Sequence, residues 1–445
     1  MKKNDKIKVL IDDMGANGEG IAHVDGITVF VPFAIQGEIC LIHILKVKDN
    51  LAWAKLVGVE SESLVRVEPI CPYTKKCGGC ALSHVKENFE LELKKNNIKN
   101  CFWKNAGIKL DDVRIYDSIK NYNYRNKCAF PVRCIDGNPS VCMFKNNSHD
   151  AIKVLSCYLA DENINKVIGV VNEYLKCSNE SAFDEITGKG LIKFVVVRVV
   201  QEIPLITIVI NGKDLKSKFK LIDLLKESFN KFGLNLNINT KNNNVILSEK
   251  FVHIFGEEKL FADESGIVYP ISSLSFLQIN DDIKNKIYNR VLSFFDVGDT
   301  VVDAYSGAGL LSAIIAKKVK SVYGIEIIEA ATNNANELKL LNNIKNLVNI
   351  NGDCAKKLPE LVESLNCDSL NVVLDPPRKG CDKKVLDAII SVGVKKIVYV
   401  SCNPATLARD AKILVGGGYK LSVVEGYNMF PKTSHVETLA VFEKE

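Results

Sequence analysis

Asp303-Ala304-Tyr305-Ser306-Gly307-Ala308-Gly309 joins an apolar run, Val301–Tyr305, to a helix-patterned segment, Leu310–Val319. A strand that passes through a glycine turn into a helix is the opening unit of an α/β sheet. Gly307 and Gly309 let the backbone turn tightly and approach a ligand, but no third glycine completes the dinucleotide fingerprint. From here strand and helix patterns alternate. Ser321–Ile327 leads into a helix over Glu329–Leu341, and Val348–Asn351 and Asn371–Leu374 flank a further helical stretch. Ile397–Val400 leads into a helix over Ala405–Leu414, and Leu421–Glu425 and Thr438–Glu443 are the last strands. The alternation predicts a mainly parallel, doubly wound, Rossmann-like α/β domain over residues 266–445, with ligands bound beyond the carboxyl ends of its strands.

The acids at those strand ends suggest which ligand. Glu326 closes the second strand, where a carboxylate accepts hydrogen bonds from ribose hydroxyls. Asp353 follows the third, placed for an adenine amine, and Asp375 closes the fourth. Three acids beside Gly307 and Gly309 favour a nucleoside of positive or neutral charge over a phosphate-rich one. S-adenosylmethionine, a sulfonium without phosphates, is such a ligand. Each acid alone has a second reading as a helix N-cap, Asp353 most of all.

Two motifs carry the chemistry. Asp375-Pro376-Pro377-Arg378-Lys379-Gly380 follows one apolar run, and Ser401-Cys402-Asn403-Pro404 follows another. Asp-Pro-Pro also occurs where exocyclic amines are methylated, but there an aromatic residue usually comes next, and amine methylation needs no cysteine. Cys402 points to methylation at carbon. A thiolate added to C6 of uracil makes C5 nucleophilic enough to attack a sulfonium methyl. A base must then remove the C5 proton so that the thiolate can leave. Glu437, just before the final strand, is the candidate base and His435 its competitor. A buried core cysteine is the plain alternative for Cys402. The target base would have to leave any stack to reach the cleft.

At 445 residues more than one core is expected. The net charge of +5 permits a nucleic-acid partner without requiring one. Met1-Lys2-Lys3 is followed by polar residues rather than an apolar signal core, and no apolar run is long enough to span a bilayer, so a cytoplasmic protein without membrane partners is expected. Residues 1–60 hold short strand patterns between glycine turns, as in a small OB-like barrel. Residues 61–265 read as α+β, with a helix over about 86–107 that would pack on the catalytic domain, and an asparagine-rich loop or hairpin over Asn235–Asn244. The segment opens on Cys71, Cys77 and Cys80. Soft thiolates suit iron–sulfur clusters and zinc alike, and spacing leaves Cys128, Cys134, Cys142 and Cys157 as equal candidates for a fourth ligand.

With Asp375–Gly380, Ser401–Asp410 and His435–Thr438 in view, the chain resembles the RNA uracil-5-methyltransferases along nearly its whole length. The resemblance implies a class I methyltransferase domain using S-adenosylmethionine, with Cys402 as nucleophile and Glu437 as proton-abstracting base. It places Gln278, in Leu277-Gln278-Ile279-Asn280, together with Tyr305, Glu326 and Asp375, on cofactor positions. Residues 1–60 look like a TRAM domain, an RNA-binding barrel, with Gly18-Glu19-Gly20 similar to its early turn. Ribosomal-RNA members carry a [4Fe–4S] cluster on the pattern of Cys71, Cys77 and Cys80, and the resemblance selects Cys157 as the fourth ligand. It therefore implies 23S ribosomal RNA as substrate, with transfer RNA as the alternative; a monomer is expected, though no feature of the sequence sets the oligomeric state. Tyr124-Arg125-Asn126-Lys127 is similar to a further family segment, whose Arg125 and Lys127 would meet RNA phosphates or form a solvated strand edge. A non-catalytic RNA-binding protein that keeps the fold is the rival from another class.

Overall fold

Short alternating strands in residues 6–61 form a six-stranded sheet around a core that includes Ile11, Val29, Val31 and Ile42. This is a computed structural model, and it describes every residue except Asn147, Phe276, 366–368 and Glu445. Next comes a seven-stranded sheet whose central strands, Lys127–Ile135, Ile192–Val200 and Ile203–Ile210, are rich in valine and isoleucine. Helices Glu162–Cys177 and Lys218–Ser228 cover it.

The eight-stranded C-terminal sheet runs in the order Leu347–Asn351, Ser321–Glu326, Thr300–Ala304, Leu370–Leu374, Lys396–Ser401, Glu437–Lys444, Tyr419–Tyr427, Arg114–Tyr116. The first five strands are parallel, and Glu437–Lys444 is antiparallel to both its neighbours. Apolar side chains on both faces of the parallel strands fill two clusters, one holding Val302, Leu374 and Tyr399, the other Val301, Val373 and Val398. Strand order reverses between Thr300–Ala304 and Leu370–Leu374, which opens a crevice at their carboxyl ends.

Helix Glu87–Ala106, the segment expected to pack on the catalytic domain, and strand Arg114–Tyr116 precede the central sheet in the chain and pack with the C-terminal one. Ile98 and Phe102 share a buried cluster with Leu407 and Ala411 of helix Pro404–Gly416. A division at 265/266 cuts a hairpin, Leu260–Glu264 with Ile267–Ile271, whose second strand packs into the C-terminal core. Part of the expected asparagine loop or hairpin is the interior strand Gly233–Ile238, which pairs antiparallel with Phe251–Gly256. Asn237 is buried there because its amide donates to the Ser248 carbonyl at 2.8 Å and accepts from the Ser248 N–H at 2.9 Å. Asparagine normally favours turns because its side chain competes for backbone bonds. Here the same bonds tie the strand to the segment that follows it.

Candidate active site and cysteine cavity

Cys402 sits between the strand Lys396–Ser401 and the helix Pro404–Gly416. Asn403 caps that helix by accepting from the Ala405 N–H at 3.1 Å, and Pro404 fills the first helical position, where a missing N–H costs nothing. The Asn403 amide also donates to the Arg378 carbonyl at 3.1 Å, and Arg409 donates to the Lys379 carbonyl at 3.1 Å. The two signature loops are thereby joined into one wall. Gly380 has φ +79°, and a Cβ there would stand 2.6 Å from an Arg409 nitrogen, so glycine alone fits.

Glu437 arrives from the opposite direction. Ser401 pairs with Thr438 at the end of the antiparallel ladder, so Cys402 and Glu437 flank its last pair, and the Glu437 charge reaches the Cys402 thiol. Glu437 is 2% exposed. Burial, joined by the charge of Asp375, pushes its carboxyl well above the usual range, with Arg378 opposing. Burial and the Glu437 charge likewise raise the Cys402 thiol, and Arg378 pulls it back. Burial and the cations Arg378, Lys94 and Arg125 hold the His435 ring below the ordinary imidazole range.

At the crevice, Tyr305 takes a left-handed φ of +70°, a strained conformation of the kind that clusters at functional sites. Glu326 accepts from the Gly307 N–H at 2.9 Å and the Ile328 N–H at 2.7 Å, which ties the acid to the glycine turn. Gly309, at φ +81°, lies so close to the next helix that a Cβ would stand 2.7 Å from the Ala335 Cβ. Asp353 caps helix Cys354–Ser364 by accepting from the Ala355 N–H at 3.0 Å, so the capping reading describes its contact here. Burial raises Asp375 to about 7. Asp303 is also raised to about 7, first by burial, with the charges of Asp375 and Glu326 adding and the Ser312 hydroxyl opposing. Asp303 lies inside an apolar strand rather than at its tip, so the sequence does not mark it as a ligand-facing acid. Gln278 stands just before helix Asp281–Ser293, and its carbonyl accepts from the Asn126 amide at 3.1 Å.

Cys71, Cys77, Cys80 and Cys157 line one cavity, together with Tyr122, Arg125 and Lys432. Cys157 is fixed by Asn165, which accepts from its N–H at 2.8 Å and donates to its carbonyl at 3.1 Å. Burial raises Cys71, Cys77 and Cys80, and the charge of Cys157 adds to each. Among the described residues no three His, Cys, Asp or Glu side chains are placed to hold a single metal ion. Arg125 and Lys127 are half-buried in the structure. Arg125 lines the cysteine cavity, and the half-buried Lys127 ammonium, lowered to about 8 by burial, donates to the Ser273 carbonyl at 3.4 Å. The segment is tied to both neighbours by its backbone, the Arg125 N–H donating to the Leu159 carbonyl at 2.9 Å and the Asn126 N–H to the Ile279 carbonyl at 3.0 Å.

A family model described as tRNA (Uracil-5-)-methyltransferase matches residues 86–445, and a TRAM domain model matches residues 2–57. The chain belongs to the tRNA (uracil-5-)-methyltransferase family. Two relatives, from Clostridium acetobutylicum and Caldanaerobacter subterraneus, are described as uncharacterized RNA methyltransferases. Each is 36% identical over 100% of this chain, covering 98% and 99% of their own lengths. The crystal structure of Pyrococcus abyssi tRNA (uracil-54, C5)-methyltransferase in complex with S-adenosyl-L-homocysteine superposes with a TM-score of 0.79. It is 23% identical and covers 98% of this chain and 100% of that one, which shows a shared fold. Family membership makes the chain an S-adenosylmethionine-dependent RNA methyltransferase with an N-terminal TRAM domain. No helix among the described residues is long and apolar enough to cross a membrane.

Proposed function

We propose that the protein methylates C5 of a uridine in RNA, 23S ribosomal RNA before transfer RNA, through a covalent bond between Cys402 and C6. The observation that supports the reading is that Cys402 and Glu437 flank the last pair of one antiparallel ladder, Ser401 with Thr438, with the Glu437 charge reaching the Cys402 thiol. Cys402 adds to C6, and the sulfonium cofactor supplies the methyl group to C5. Glu437 takes the C5 proton, the C5–C6 double bond re-forms, and the C6–sulfur bond breaks to return the thiolate. A buried carboxylate beside Asp375 is a stronger base than an exposed one, which suits the proton removal. Mapping 5-methyluridine in ribosomal and transfer RNA from cells with and without the gene tests the substrate. Loss confined to transfer RNA would overturn the ribosomal assignment, and loss in neither would overturn the activity.

Gln278, Tyr305, Gly307, Gly309, Glu326, Asp353 and Asp375 are the residues we assign to the cofactor. Asp303 and Asp375 make a pH test available. Each is raised to about 7, so its contribution to stability is complete below about 4 and is lost as pH climbs through about 7. A bound sulfonium favours the ionised acids. Affinity for S-adenosylmethionine relative to neutral S-adenosylhomocysteine is therefore expected to rise severalfold between about pH 6 and 8 by calorimetry. A constant ratio would remove both acids from the sulfonium's surroundings.

The cysteine cavity fits a [4Fe–4S] cluster held by Cys71, Cys77, Cys80 and Cys157. Four soft thiolates face one space, and two cations, Arg125 and Lys432, offset the negative charge such a cluster carries. The proposed reaction transfers no electrons, so the cluster's part is structural. Anaerobically purified protein is expected to be brown, with roughly four irons and four sulfides per chain, and Cys157→Ser to lose both. Colourless protein with one zinc would contradict this.

A further inference from the structure

Glu437 opens the strand Glu437–Lys444, where it pairs with Tyr427, and the irregular link Asn428–Val436 leads into it from the strand before. Such a link has no ladder of its own to fix it. Here it is held from outside by a helix that the fold borrows from far earlier in the chain. Lys94, on helix Glu87–Ala106, is 1% exposed and offers three N–H donors. One goes to Glu90 at 2.7 Å; the other two go to the link, to the Asn428 side-chain oxygen and to the Phe430 carbonyl at 3.1 Å. Glu90, also 1% exposed, accepts from the Lys432 N–H at 2.9 Å. Two neighbours add to the hold: Tyr124 donates to the Pro431 carbonyl at 3.1 Å, and the Leu82 N–H to the Lys432 carbonyl at 3.0 Å.

A buried ion pair is weak evidence for stability, since apolar residues of the same volume often do as well. What this pair supplies is geometry, because all three Lys94 donors are used and two of them end on the link. We propose that Lys94 and Glu90 are positioning residues that hold the link Asn428–Val436 and so set Glu437 for proton removal; this rests on Glu437 being the base. Lys432 also lines the cysteine cavity, so the same link is shared by the active site and the cysteine cavity.

The test uses the full-length protein and single-turnover assays on unmodified uridine RNA. In Lys94→Met, formation of the covalent complex is expected to stay within twofold of wild type. Release of methylated product should slow by about tenfold to a hundredfold, so that methylated covalent complex accumulates. KM for RNA and for S-adenosylmethionine should barely move, and the Lys432 amide should exchange hydrogen faster. Should Lys94→Met fail to fold, Asn428→Ala, which leaves the Lys94–Glu90 pair in place, is expected to show the same accumulation. Release within twofold of wild type in the folded variant, or complex formation and release falling together, would overturn the proposal. Wild-type protein that makes no 5-methyluridine would overturn the reading of Glu437 and this inference with it.

Discussion

Cys402→Ala is expected to lose methyl transfer to RNA below detection while still binding RNA and S-adenosylmethionine. Alanine removes only the sulfur. The backbone around it is held by Asn403, which caps its helix and bonds the Arg378 carbonyl, so the cleft keeps its shape. Without the thiolate, C5 of uracil stays too weak a nucleophile to accept the methyl group. Labelled methyl transfer, read beside RNA binding by filter retention, checks this. Residual turnover near wild type would return Cys402 to the role of a core cysteine, and loss of binding together with turnover would make its role structural.

Glu437→Gln should act later in the cycle. The amide matches the carboxylate in shape but takes no proton. Turnover is expected to fall by about 10²- to 10⁴-fold, the range that general-base removal commonly costs. Methylated RNA should remain attached to the protein, because elimination waits on the C5 proton. The wild-type rate should also fall as pH drops through the raised pKa of Glu437, since only the ionised form accepts a proton. That limb should lie above the ordinary carboxylate range. A Glu437→Gln variant that releases product at the wild-type rate would pass the role to another group, with His435 the first to examine.

The reacting end was legible because strand tips leave plain marks. An apolar run that stops at Ser401-Cys402-Asn403-Pro404 places a thiol at a sheet edge whatever the rest of the chain does. The glycine turn and the acid at Glu326 could be read in the same way. Other features depend on distant partners and leave no local mark. Glu90 and Lys94 resemble an ordinary solvated pair one helical turn apart, and only the docking of Asn428–Val436 buries them. Arg125 and Lys127 look exposed in the sequence and are half-buried in the fold. The strand at Gly233–Ile238 was hidden for the converse reason: its asparagines signal a turn until the carbonyls that satisfy them are in place. Asp303 escaped because an acid within an apolar strand shows nothing of the Asp375 charge that reaches it from the neighbouring strand's end.

Covalent attachment of the target pyrimidine tests the central claim most directly. RNA bearing 5-fluorouridine at the target, incubated with the protein and S-adenosylmethionine, supplies a ring whose fluorine cannot leave as a proton does. The account predicts an adduct that survives denaturation and maps by mass spectrometry to the peptide holding Cys402. An adduct through any other side chain, or none from an enzyme that methylates ordinary uridine, would contradict it.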